Sequence, residues 1–209
     1  SSGVRAAELS FGKNGITLEK FGQVELPEGS VRDGEVIDTD AVATAIKRLW
    51  AHSKFSSKSV VLGVANGKVI VRQVELPWMP AADLKQSLPF QVQEFIPIPV
   101  DEAVLDFLAV EEFHNEQGAP MVRGLLVAAS RDMVMSAVTA VQAAGLTPST
   151  VDLTPFALLR SLSTQTPYGV NEVEAVVDVG ARVTNIVIHE GGVPRFVRIL
   201  LMGGADITE

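Results

Sequence analysis

The chain has 209 residues, 47% of them hydrophobic and 20% charged, with a formal net charge of -8 and no cysteine. Those proportions belong to a folded chain, and they leave no clustered Lys and Arg surface of the kind nucleic acid needs. Without cysteine there is neither a disulfide framework nor a thiolate metal site, which fits a reducing compartment. No apolar run reaches the roughly 18 residues that span a bilayer, and the first residues lack the basic-then-apolar layout of a signal peptide. The expectation is a soluble, cytoplasmic protein. Its start at Ser1, without Met, suggests a piece of something longer.

In chain order, Val4 to Phe11 and Ile16 to Glu25 read as strands joined through Asn14-Gly15, a dipeptide that tolerates the positive φ of a tight hairpin. A polar loop is expected from Pro27 to Asp38. Asp38 or Thr39 then caps a helix carrying Val42, Ile46, Leu49 and Trp50 on one stripe. Ser59 to Val64 is a short β-branched run, and Asn66-Gly67 turns into a strand from Val69 to Val74. Strands with one crossover helix predict a mixed α/β layer.

At Leu76-Pro77-Trp78-Met79-Pro80 two prolines interrupt the pattern and mark a junction. Leu84, Leu88, Val92 and Phe95 then recur at helical spacing, with a kink or break expected at Pro89. Strands follow from Leu105 to Glu112 and Met121 to Ala129, and Ser130 caps a helix from Arg131 to Ala144 that Gly145 stops. Val151 to Leu153 re-enters a strand, and a helix runs from Thr154 to Leu162 with Pro155 at its start. A turn-rich segment, Ser163 to Asn171, leads to the last part of the chain.

That last part, from Ala175 to Glu209, reads as strand, tight turn, strand, hairpin, strand and glycine turn. Asp178 ends an apolar run typical of a buried central strand, where a carboxylate is costly unless solvated, paired or facing a metal. Beside Gly180 the backbone can pass close to a phosphate, Thr184 supplies a hydroxyl, and Gly203-Gly204 offers a second close approach. The same Asp is equally read as a turn cap bonded to nearby backbone. His52, His114 and His189 stand too far apart for a zinc site and are expected at the surface, while Met133 and Met135 are expected as core filler. No catalytic residue is assigned, and no nucleophile elbow or Walker-type loop occurs.

Several segments, in order along the chain, resemble the PilM family, actin-like cytoplasmic proteins of type IV pilus assembly related to the division protein FtsA. They are Ser1 to Leu9, Val69 to Pro77, Gln93 to Pro99, Val104 to Phe107, Leu126 to Ser130, Ala143 to Leu146, Val151 to Leu158, and the stretch from Ala175. The resemblance implies an actin-like (ribonuclease H-like) α/β fold with an inserted small α+β subdomain. Residues 1–76 and 148–172 would form the first lobe, 77–147 the insertion, and 173–209 the start of a second lobe that is incomplete in this chain.

It further implies ATP and Mg²⁺ between the lobes, with weak or no hydrolysis in the full-length protein and a weakened or absent site in a truncated one. Ser1, Ser2 and Gly3 would be the tail of the first phosphate loop. Asp178, Gly180 and Thr184 would be the second, Asp178 reaching Mg²⁺ through water, and Gly203 and Gly204 the turn near the phosphates. The implied partner is the N-terminal tail of PilN, in a groove between the first lobe and the insertion, with other platform and motor components and with contact to the membrane only through partners. Alternatives are a type II secretion platform protein, an FtsA-like division protein, and more remotely a sugar-kinase-type phosphotransferase using Asp152 as base.

Overall fold

The computed structural model describes residues 3–13, 15–163 and 172–208. In chain order the strands and helices are β1 (Gly3–Gly12), β2 (Gly15–Glu25), β3 (Val31–Arg32), β4 (Glu35–Val36), α1 (Thr39–Ser53), β5 (Ser59–Val64), β6 (Val69–Pro77) and α2 (Ala81–Gln91). There follow β7 (Ala103–His114), β8 (Pro120–Ser130), α3 (Arg131–Ala143), β9 (Thr147–Leu153), α4 (Thr154–Ser163), β10 (Val173–Val179), β11 (Thr184–Glu190), β12 (Val193–Leu200) and α5 (Ala205–Thr208). The residues divide into two compact units, one drawn from the chain up to 64 and from 133 to 152, the other from 65–132 and 153–207.

In the first unit β1 and β2 pair antiparallel from Gly3↔Glu25 to Gly12↔Gly15, and β5 pairs with β9. α1 begins where Asp38 accepts a 2.9 Å hydrogen bond from the N–H of Ala41, the capping that satisfies one orphan donor of the first turn. Its Val42 and Ile46 pack with Ala140, Val141 and Leu146 in one apolar cluster. α3 stops as expected at Gly145, whose φ of 83° suits a residue without Cβ. The stretch from 27 to 38 is not wholly a loop: β3 and β4 form a small hairpin across Asp33 (φ 52°) and Gly34 (φ 85°), both in the left-handed region a two-residue turn needs. Glu8, on β1, accepts from the hydroxyl of Ser56, from its N–H at 3.2 Å, and from Lys20 Nζ at 3.0 Å.

The second unit holds two antiparallel three-stranded sheets, ordered β6-β8-β7 and β10-β11-β12. β8 is the central strand of the first, paired from Val69↔Ala129 to Pro77↔Met121 on one side and from Ala103↔Ser130 to His114↔Pro120 on the other. That central position explains why its second half, Gly124 to Ala129, carries no polar side chain and why Leu126 and Ala128 are fully buried. α2 covers this sheet with Leu88, which packs against Val74, Leu76 and Val122.

Pro89 does not break α2 where it stands. The helix continues to Gln91, then leaves through Val92 (φ -106°, ψ 1°) into a tighter 3-10 turn at Gln93–Phe95. The second sheet is covered by α4, whose Leu159 and Phe156 pack with Val176, Val187 and Val197.

Candidate functional site

Asp178, Gly180, Thr184, Gly203 and Gly204 all fall in the β10-β11-β12 sheet and the turns at its end. β10 is not the buried central strand that its apolar run predicts. It is an edge of the sheet, and Val173, Val177 and Val179 are 69%, 54% and 59% exposed. The strand alternation sends only Val176 and Asp178 toward the covered face, so the run of valines is split between two environments. Asp178 is half-buried there, opposite Asn185 in the ladder, and its Oδ2 accepts from Asn185 Nδ2 at 3.2 Å.

The two glycine turns are built into each other. Gly180 N–H donates to the Val183 carbonyl at 3.0 Å, closing the first turn, and a Cβ at Gly180 would lie 2.6 Å from that oxygen. Gly204 N–H donates to the Gly180 carbonyl at 2.8 Å, and Ala205 N–H to that of Ala181 at 2.9 Å. Gly203 sits directly on the first turn, where an added Cβ would come within 2.6 Å of the Ala181 backbone. The Thr184 hydroxyl, nearly buried, donates to the Met202 carbonyl at 2.8 Å, and Asp206 Oδ2 accepts from Gly203 N–H at 2.7 Å. Glycine is therefore required at 180 and 203 by close backbone approach.

Other expected residues are placed differently. Ser1 and Ser2 lie outside the described residues, as does the segment 164–171. Gly3 belongs to the other compact unit, where it pairs with Glu25 and a Cβ would meet the Val24 carbonyl at 2.6 Å.

His189 is not a surface residue: it is fully buried, accepting at Nδ1 from Gly192 N–H at 3.2 Å, with Nε2 3.5 Å from Glu174 of the neighbouring strand. Its place on the covered side of β11, beside the hairpin at Gly191-Gly192, accounts for that. Met133 is core, but Met135 is 47% exposed. Sequence reasoning missed Asn185 and Asp206. Asn185 follows Thr184 in a strand whose alternation marks one of the two as facing Asp178, and that was the available signal.

The donor set admits a hydrated cation. Asp178 offers a carboxylate, and Asn185, whose Nδ2 binds it, has a buried Oδ1 with no hydrogen-bond partner among the described residues, an acceptor left for a donor such as water. The N–H groups of Gly180, Gly203 and Gly204 are used within the turn pair, so the glycines shape the site instead of supplying its donors.

The family described as type IV pilus assembly protein PilM matches residues 1–209. The chain belongs to the PilM family. It is similar to a solved structure of the PilM-PilN type IV pilus biogenesis complex, with 30% identity and a TM-score of 0.88 over 99% of this chain and 61% of that one. Over 92% of its length it is 25% identical to the cell division protein FtsA of Streptococcus pneumoniae, of which it covers 46%. The cytoplasmic domain of EpsL, an inner membrane component of the type II secretion system of Vibrio cholerae, shares the fold at a TM-score of 0.50 and 14% identity, over 87% of this chain and 65% of that one. The fold of this PilM-family chain is the actin-like α/β fold. The chain spans about half the length of the FtsA relative and about three-fifths of the PilM structure. Among the described residues no helix is long and apolar enough to cross a membrane.

Proposed function

We propose that this chain is the actin-like, ATP-binding scaffold of a type IV pilus inner-membrane assembly platform, and that it takes the N-terminal tail of PilN. The observation that carries this reading is the agreement in fold, across 99% of the chain, with the PilM of a PilM-PilN complex. In this reading residues 1–76 and 148–172 make the first lobe, 77–147 the insertion, and 173 onward the start of the second lobe. The protein works at the inner face of the cytoplasmic membrane and reaches the membrane through its partners.

ATP and Mg²⁺ belong to the same proposal. Bound Mg²⁺ supplies the counter-charge for a triphosphate. Asp178 and Asn185 would hold its water shell, and Gly180, Gly203 and Gly204 keep side chains away from the phosphate path. Thr184 fixes the distance between the two turns. In this reading the site is a grip on nucleotide and the role of binding is to set shape.

The test is a calorimetric titration of the chain with a synthetic PilN N-terminal peptide. Saturable binding is expected. Absence of binding by this chain, with binding retained by the full-length protein, would confine the peptide site to the remainder of the molecule.

A further inference from the structure

The residues that the resemblance assigns to the phosphates have spent their donors inside the protein. Gly180 N–H goes to the Val183 carbonyl, Gly204 N–H to that of Gly180, Gly203 N–H to Asp206, and the Thr184 hydroxyl to Met202. Asn185 turns its Nδ2 to Asp178. What remains to this set is acceptors, the carboxylates of Asp178 and Asp206 among them. Acceptors alone repel a polyphosphate, so a direct grip on one needs donors from elsewhere.

The tip of the first turn supplies them. The Gly180 carbonyl points at Gly204 N–H and the Ala181 carbonyl at Ala205 N–H, at 2.8 and 2.9 Å. No described peptide bond is cis, and in a trans peptide N–H and C=O point opposite ways. The N–H groups of Ala181 and Arg182 are therefore both turned away from the second turn, toward one side, an arrangement that gathers anions. Among the described residues Ala181 N–H makes no hydrogen bond within the protein. Arg182 is exposed at this tip, and it is the only basic residue in the two stretches, 178–185 and 200–208, that build the turn pair.

We infer that the Arg182 side chain is a direct phosphate ligand of this site, so that part of the nucleotide affinity does not require Mg²⁺. Its guanidinium fork can meet two phosphate oxygens at once and stays charged throughout the working pH range. It also offsets the two carboxylates, which would otherwise hold a metal-free nucleotide off. The inference rests on the nucleotide reading above and adds to it a named side chain and a metal-independent component.

The experiment is calorimetric titration of the full-length protein, and of its Arg182→Gln and Arg182→Lys variants, with ATP in Mg²⁺ and in EDTA, adenosine serving as the phosphate-free control. The parent should bind ATP under both conditions. In EDTA Arg182→Gln should weaken ATP binding by about tenfold, and Arg182→Lys by less, since a point charge remains when the fork is lost. With Mg²⁺ neutralising part of the phosphate charge the loss should be smaller, and adenosine affinity should not change. Arg182 is exposed, so both variants should keep the parent's Tm. ATP binding in EDTA that Arg182→Gln leaves unchanged, an equal loss for ATP and adenosine, or parent binding that vanishes in EDTA would each overturn the inference and leave nucleotide binding standing. Failure of the parent to bind ATP with Mg²⁺ would overturn the nucleotide reading, and this inference with it.

Discussion

Thr184 Oγ1 donates to the carbonyl of Met202, 18 positions further on, at 2.8 Å. That bond ties the start of β11 to the glycine turn that follows β12, so a residue expected to meet a phosphate acts first as a brace. Thr184→Val keeps the shape and removes the donor. The expected cost is about 1 kcal/mol, or a fall in Tm of about 2–4 °C. Thermal denaturation followed by circular dichroism measures it, and an unchanged Tm would mean the bond is replaced by water at no cost.

Gly203 and Gly204 are adjacent but should respond differently to the same change. A Cβ at Gly203 meets backbone of the first turn within 2.6 Å, whereas the nearest atom to a Cβ at Gly204 is 3.8 Å away. Gly203→Ala is expected to destabilise by about 1–3 kcal/mol, since backbone cannot yield as a side chain end can. Gly204→Ala should stay near neutral. Urea unfolding of both variants tests the contrast, and equal losses would contradict it.

Asp178 and Asn185 make a separable prediction about ligand. Asp178→Asn retains an acceptor in the same place but removes the charge that a hydrated Mg²⁺ requires. In the full-length protein the Mg²⁺-dependent part of ATP affinity should fall by about 10–100-fold, the range seen when groups that orient metal-bound ligands are lost. Binding measured in EDTA should change little. Equal losses with and without Mg²⁺ would assign Asp178 a structural role only.

Acid should act on a different part of the molecule. The Ser56 hydroxyl, followed by Lys20, holds the Glu8 carboxyl well below its ordinary 4.5, at about 2. A carboxylate whose pKa is depressed by folding stabilises the fold above its unfolded value and loses that contribution as the proton goes on. Stability owed to Glu8 is thus fully present above about pH 4.5 and disappears as pH falls toward 2. Glu8→Gln should be less stable than the parent at neutral pH and converge with it in acid. A constant gap across the pH range would show that the shift does not arise from folding.

The fold was legible in the sequence wherever one physical signal dominated. β8 declares itself because it is buried on both sides, α1 because Asp38 caps it, and the end of α3 because Gly145 takes a φ that other residues resist. Where signals compete the reading slipped. The two-residue strands Val31–Arg32 and Glu35–Val36, on either side of the Asp33-Gly34 turn, are too short for a period to show. Pro89 costs α2 one hydrogen bond, yet Leu88 and the apolar cluster below it hold the helix for two further residues. For β10 the error was one of environment: an apolar run says nothing about which faces are covered, and its position at the edge is decided by strand order.

The candidate site shows the same division. Asp178 and the glycines were found because few residue types suit a carboxylate at a strand end or a turn without room for Cβ. Asn185 was missed because strand alternation alone does not say which of Thr184 and Asn185 faces Asp178. Its importance comes from burial at 4% exposure and from its cross-strand position, both products of tertiary structure.

The strand order β6-β8-β7 also has a temporal meaning. β7 and β8 meet across a short turn, His114 opposite Pro120, whereas β6 must bring Val69 to Ala129 and Pro77 to Met121. Closing the longer loop costs more chain entropy, so the β7-β8 hairpin should assemble first and β6 dock onto its open edge afterwards. Pulsed hydrogen exchange during refolding should see amides of β7 protected before those of β6. During synthesis the order of appearance is the reverse, and β6 must wait unpaired until β8 has left the ribosome.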